Sequence, residues 1–286
     1  MMTLMRQLTR RAALRLGGGA VAGAAGVWAV SALLDPTVPQ ASPPAPFEPA
    51  AGNALPTRLS GSFVSAARGG ITTNWVIVRP PGPAAALRPV IALHGRARNA
   101  NTVVDLGVED GLAQLVQAGR VPFAVVGVDG GDTYWHRRAS GQDSGAMVLN
   151  ELLPMLATKG LDTSRVAFMG WSMGGYGALL LGARLGAPRT AGICAVSPAL
   201  FTSYTGSTPG AFDSYEDWAR NNVFGLPALE SIPIRVDCGT SDGFYPATRQ
   251  FVAQLRTPPS GGFSPGGHDV SFWRQQLPAE LAWMAS

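Results

Sequence analysis

Lysine is all but missing from this chain. Lys159 is the only one, and arginine supplies the rest of the 22 basic residues. That replacement reads as the coding bias of a GC-rich genome and says nothing about binding. Net charge is scarce too. The formal +4 comes from Arg6, Arg10, Arg11 and Arg15 within the first 34 residues, and the bases and acids of the remainder cancel. A neutral body carries no electrostatic footprint for nucleic acid, so that class of partner is excluded. Cysteine is limited to Cys194 and Cys238, in apolar runs that should form neighbouring strands. Buried free thiols are the simpler reading and a disulfide is the alternative. No group of histidine, cysteine and carboxylate has the spacing of metal ligands, so no metal or other cofactor is expected. No internal repeat is visible. Histidine itself is rare, at His94, His136 and His268, so any chemistry that needs an imidazole base must draw on one of three.

Against this background one segment stands out, Val166-Ala-Phe-Met-Gly-Trp-Ser172-Met-Gly-Gly-Tyr-Gly-Ala-Leu. An apolar strand-like run enters a Gly-x-Ser-x-Gly turn, and an Ala/Leu-rich helical run leaves it. A strand that reverses directly into a helix lifts one side chain above the sheet edge. The residues two before and two after must then be small, as Gly170 and Gly174 are. Gly175 and Gly177 would let the helix lie close to neighbouring strands. Ser172 is therefore the candidate nucleophile, and the helix N-terminus faces any oxyanion that forms on its substrate.

A serine hydroxyl needs a base. His268 lies in a loop rich in Gly, Ser and Pro before a terminal helical segment, and is the candidate; His136 is the alternative. His94 closes the run Pro89-Val-Ile-Ala-Leu and reads as part of an oxyanion-hole turn. The base needs an acid to orient it. Asp242 falls just past the strand-like Ile234-Arg-Val-Asp-Cys and is the candidate, with Asp237 its main rival and Asp269 awkwardly adjacent to the histidine. Two backbone N–H groups should hold the oxyanion, those of Met173 and Arg96.

Strand-like runs near 59–66, 72–79, 89–94, 122–129, 164–170, 190–197 and 233–238 alternate with helical segments near 102–118, 145–157, 173–186, 244–256 and 270–285. From residue 89 onward this alternation predicts an α/β fold: a mostly parallel, doubly wound sheet with helices on both faces. The first two strands form an antiparallel edge. Two insertions fall at the carboxyl ends of strands, where substrate should lie. One is Asp129–Arg138, and the other, a short cap, runs from Ala199 to about Ile232 with Phe201, Tyr204, Phe212, Tyr215, Trp218 and Phe224. Those aromatics either cover an acyl group or staple the loop to the domain. Arg137 and Arg138 either meet an anionic group or are a solvated surface. Gly95, Tyr134, Trp135, His136 and Trp171 are the candidate substrate contacts.

The chain resembles the esterase D-like branch of the α/β-hydrolases, and most closely the secreted actinobacterial esterases related to the antigen-85 mycolyltransferase group. The resemblance rests on Gly-Trp-Ser-Met-Gly-Gly-Tyr-Gly-Ala-Leu at 170–179, Asp-Cys-Gly-Thr-Ser-Asp at 237–242 and Gly-Gly-His-Asp-x-x-Phe-Trp at 266–273. Glu151-Leu-Leu-Pro154, before the elbow strand, belongs to it as well. The likeness covers roughly residues 57–285. It implies an α/β-hydrolase fold, and the triad order Ser172, Asp242, His268 is the one that fold uses. It also implies ester chemistry through an acyl-serine: hydrolysis, or acyl transfer to a sugar hydroxyl. The acid here is aspartate where mycolyltransferases of that group use glutamate, and their sugar-binding residues are not carried over by motif. A non-catalytic hydrolase-like binding protein would lack a triad member, and none is lacking.

The N-terminal residues form a separate signal. Paired arginines (Arg10, Arg11) precede an uncharged, mostly apolar stretch from Leu16 to Leu34, a pattern resembling a twin-arginine export signal. The same stretch is just long enough to serve as a membrane anchor, while the lack of a cysteine at its end excludes a lipoprotein anchor. Residues 35–56, rich in Pro and Ala, read as a semi-rigid linker. The expected organisation is thus a signal or anchor at 1–34, a linker at 35–56 and a catalytic domain at 57–286. The protein should be exported to the cell envelope or beyond, with an ester as substrate and the N-terminus as any link to membrane or wall.

Overall fold

The computed structural model describes residues 57–82 and 85–286. The export signal and linker read from residues 1–56 lie outside them. Eight strands form one sheet: β1 (Arg58–Ser65), β2 (Ile71–Val78), β3 (Pro89–Leu93), β4 (Ala124–Val128), β5 (Val166–Trp171), β6 (Thr190–Val196), β7 (Ile234–Gly239) and β8 (Ser260–Ser264). Their spatial order is β1-β2-β4-β3-β5-β6-β7-β8. The β1–β2 and β2–β4 pairs are antiparallel and every later pair is parallel. β3, β4 and β5 are buried along their whole length, as expected of parallel strands covered on both faces; β1, at the edge, is mostly exposed.

The helices are α1 (Ala100–Val104), α2 (Val108–Gln117), α3 (Ser144–Ala146), a π-helical turn (Met147–Leu152), α4 (Leu153–Thr158), α5 (Met173–Leu185), α6 (Tyr215–Asn221), α7 (Tyr245–Gln254) and α8 (Val270–Met284). They cover both faces. Ile91, Phe168, Ile193, Trp135, Leu152 and Leu179 belong to one core. Val90, Met169, Leu112, Phe272 and Leu281 belong to the other. Among the described residues no helix is long and apolar enough to cross a membrane.

Three elements differ from the sequence reading. The single helix expected over 102–118 is two, because Gly107 adopts φ +113° and restarts the chain as the N-cap of α2. The helix expected over 145–157 contains the π-helical turn, and Glu151 within it accepts hydrogen bonds from the Ser65 hydroxyl (2.5 Å) and the Ala67 N–H (2.8 Å). β8 replaces what looked like loop. It pairs with β7 through backbone alone, and its Ser-Gly-Gly-Phe-Ser sequence has no buried apolar face to betray it.

Both cysteines are buried free thiols. β6 and β7 are neighbours, but Cys194 aligns with Arg235, three residues from Cys238. An odd offset puts the two side chains on opposite faces of the sheet, so no disulfide can form.

Tertiary packing also gathers Cys194, Asp237 and Glu280, whose ligand-type atoms lie within 4.8 Å of one another; residues so far apart in the chain show no spacing pattern. Asp237 is held by Arg235 through Nε (2.6 Å) and Nη2 (3.0 Å). Neither oxygen of the fully buried Glu280 has a hydrogen-bond partner among the described residues. Burial, reinforced by nearby Asp237, pushes the Glu280 carboxyl well above its ordinary value. The folded state then holds a proton that the unfolded chain releases in the ordinary carboxylate range. Stability contributed by this site is full below the ordinary carboxylate range and falls as pH rises from there toward the raised value. Glu280→Gln, which mimics the protonated acid, is expected to raise Tm at pH 7–8, with the gain vanishing toward pH 4. A constant difference across that range in thermal melts would refute the assignment.

Candidate active site

The chain reverses between β5 and α5 at a single residue. Ser172 sits at φ 57°, ψ −120°, a region that costs a non-glycine residue roughly 1–3 kcal/mol and persists only where its surroundings fix it. They do so here through backbone. The Ser172 N–H donates to Val196 O (3.1 Å), and its carbonyl accepts from Tyr176 N (3.1 Å) and Ala199 N (2.9 Å). The requirement for small flanking residues is severe. A Cβ on Gly174 would lie 1.9 Å from Leu93 O, and one on Gly170 would lie 2.3 Å from Gly174 O. β3, β5 and α5 therefore meet at contact distance beneath the serine.

Over that serine stands His268. Its Nε2 is 2.9 Å from Ser172 Oγ and its Nδ1 is 2.8 Å from Asp242 Oδ2. An ionised carboxylate can only accept, so Nδ1 carries the proton and Nε2 presents its lone pair to the serine hydroxyl. Asp242 follows the end of β7, its carboxylate fully buried and its Oδ1 taking the Phe244 N–H at 2.8 Å. Burial works against its ionisation. The His268 ring and the Phe244 N–H outweigh that and hold the carboxyl below its ordinary value. Phe244 and Trp273 flank the imidazole edge-on, with ring centroids at 5.1 and 5.3 Å.

The two rival acids are occupied elsewhere. Asp237 is the partner of Arg235, and Asp269 caps α8 by accepting the Phe272 N–H at 3.0 Å.

The turn after β3 comes up against the serine: a Cβ on Gly95 would lie 3.4 Å from Ser172 Cβ. The N–H of Met173, in the first turn of α5, has no acceptor within its helix. What shapes the turn was only partly legible. The buried His94 accepts the Gly130 N–H at Nε2 (2.9 Å) and donates from Nδ1 to Gly95 O (2.7 Å). Burial lowers its pKa, consistent with a neutral ring that accepts at one nitrogen. Asp132 receives the Ala97 N–H (2.7 Å) and Asp129 the Ala100 N–H (2.8 Å). These two acids of the loop after β4 thus pin the turn. Sequence reasoning gave neither a role; their only signal was an acid-rich loop following a strand.

Four of the five candidate substrate contacts are buried away from solvent. Trp135 and His136 have no exposed surface, Trp171 has 2% and Tyr134 3%. Tyr134 and Trp135, both in left-handed backbone conformation, turn the loop inward instead of toward solvent. His136 faces Arg137 O with Nδ1 (2.9 Å) and Ala211 O with Nε2 (3.1 Å), with Asp217 3.6 Å away. It ties this loop to the cap and stands far from the role of base. Gly95 lies against Ser172, and Trp171 is its buried neighbour in the chain.

The cap aromatics are largely staples. Phe201 and Phe212 are buried and pack around Tyr134 and Tyr176. Trp218 Nε1 donates to Phe201 O (3.3 Å) and Tyr176 Oη to Asn221 O (2.8 Å). Arg138 grips Asp213 in a two-pronged pair and Gly210 O besides, so it fastens the cap.

The arrangement places a serine hydroxyl, an imidazole of fixed tautomer, a buried carboxylate and a turn of backbone donors together, a geometry suited to acyl transfer. The model of the family described as "Putative esterase" matches residues 72–284. No curated protein matches the chain. Among solved structures, a ferulic acid esterase is similar over 80% of this chain and 97% of its own, at 20% identity and TM-score 0.70. The S-formylglutathione hydrolase of Staphylococcus aureus is similar over 82% and 100%, at 17% identity and TM-score 0.65. MPT51 of Mycobacterium tuberculosis is similar over 76% and 95%, at 18% identity and TM-score 0.61. These likenesses establish the α/β-hydrolase fold.

Proposed function

The chain belongs to this esterase family and is a serine carboxylic-ester hydrolase, and we propose that Ser172, His268 and Asp242 are its triad and that it works outside the cytoplasm. The observation that carries the triad is the unbroken hydrogen-bonded line Asp242–His268–Ser172, at 2.8 and 2.9 Å, over a serine in the elbow conformation. His268 takes the serine proton as Oγ attacks the ester carbonyl. The N–H groups of Met173 and Arg96 hold the resulting oxyanion, and Asp242 stabilises the imidazolium. His268 then delivers its proton to the departing alcohol, leaving an acyl-serine. Water, activated by the same base, releases the acid. Export rests on the paired arginines and apolar stretch of the first 34 residues.

Transfer of the acyl group to a sugar hydroxyl would use the same residues, with an alcohol in place of water. The test offers p-nitrophenyl esters of increasing acyl length to the purified protein, beside Ser172→Ala. Serine-dependent turnover that falls with chain length is expected, because the cap is short and held down by its own aromatics. Turnover that holds or rises with long chains would favour lipid esters and a sugar acceptor. A folded protein inert on every ester would refute the reading.

A further inference from the structure

We infer that the alcohol half of the ester occupies a cavity between the loop after β6 and the start of α7, and that this cavity suits a neutral polyol. The inference rests on the triad reading above. The cavity, of about 360 Å³, has Phe201, Thr202, Phe244 and Gln250 in its walls. Phe244 borders both the cavity and the base: its centroid is 5.1 Å from that of His268 and 5.6 Å from that of Phe201.

Strand order then decides which half of the substrate faces it. β5, which carries Ser172, lies between β3 on one side and β6, β7 and β8 on the other. The oxyanion turn follows β3, so the carbonyl oxygen points to that side. His268 and Asp242 come from the β7–β8 side, and the leaving oxygen must meet the imidazole that protonates it. The alcohol therefore departs toward β6 and β7, whose following segments line the cavity. The acyl chain, on the remaining bond of the tetrahedral carbon, is directed elsewhere.

The lining specifies the alcohol's chemistry. None of the described residues around the cavity is ionisable, so a charged group entering it would lose water and gain no counter-ion from them. The Thr202 and Thr208 hydroxyls and the Gln250 amide both donate and accept, as the hydroxyls of a polyol require. Phe201 and Phe244 supply apolar faces for its C–H groups.

Three acetate esters share an acyl group and differ in the alcohol: glyceryl monoacetate, ethyl acetate and acetylcholine. The protein should show its highest kcat/KM on glyceryl monoacetate. Gln250→Leu and Thr202→Val, both at solvent-exposed positions, should each lower the glyceryl-to-ethyl ratio by up to about tenfold. A series of ethyl esters of increasing acyl length should keep its order in both variants. An unchanged ratio in both would overturn the proposal. So would a reordered acyl series, which would assign the cavity to the acyl chain, or a preference for acetylcholine, which would assign it to a cation. Ser172→Ala, run alongside, keeps the two readings apart: turnover surviving in that variant would refute the triad and not the cavity.

Discussion

Ser172→Ala is expected to lower kcat on p-nitrophenyl acetate by a factor on the order of 10⁶, down to the rate that binding and oxyanion donors give alone. The methyl group occupies the position of the serine Cβ and the elbow is fixed by backbone bonds at Val196, Tyr176 and Ala199. Thermal melts and circular dichroism should therefore match those of the parent. Loss of activity with an intact fold is the signature of a nucleophile. Full activity would sink the mechanism, and a collapsed fold would show that the strain at φ 57° depends on the hydroxyl.

The second large effect falls on the acid. Asp242→Asn keeps the shape but offers an amide that can donate to Nδ1, which stabilises the tautomer with its proton on Nε2, facing the serine. Such a ring cannot accept the serine proton, and a loss on the order of 10⁴ in kcat is expected. Asp237→Asn should instead act on stability, because it leaves the Arg235 guanidinium without its carboxylate while His268 keeps its partner. Its expected cost is roughly 1–3 kcal/mol, with kcat within about tenfold of the parent. Equal losses of turnover in the two variants would reopen the identity of the acid.

The line of residues proposed as the triad was the most legible part of the chain because its parts depend on local rules. Gly170 and Gly174 bracket Ser172 wherever a strand turns straight into a helix. Asp242 follows a readable strand end, and His268 lies in a Gly- and Pro-rich loop before a helical run, places where side chains can rise above the sheet. The order of elements from residue 89 followed from continuous apolar runs, which only a doubly covered sheet can bury. What failed depended on contacts across the fold. Tyr134, Trp135 and His136 look like pocket residues in a list of aromatics, yet the chain turns them inward. The room for Trp135 comes from Gly130 and Gly177, where an added Cβ would lie 2.5 and 2.4 Å from its ring. Glu280 reads as one polar residue on an amphipathic helix, and only the docking of α8 shows that it is sealed against β6 and β7. β8 escaped because glycines hide the alternation by which a strand is recognised.

The separation of its reacting groups gives the site a history within each molecule. Ser172 and His268 lie 96 residues apart in sequence, and the histidine stands between β8, the edge strand laid down last, and α8, the final helix. A chain growing from its N-terminus presents the serine long before any base can reach it. On the proposed triad, hydrolytic capacity therefore waits until β8 and α8 dock and bring the histidine over the serine. A chain that has not folded that far holds the serine without its base, so under this reading the docking of β8 and α8 is what arms the site.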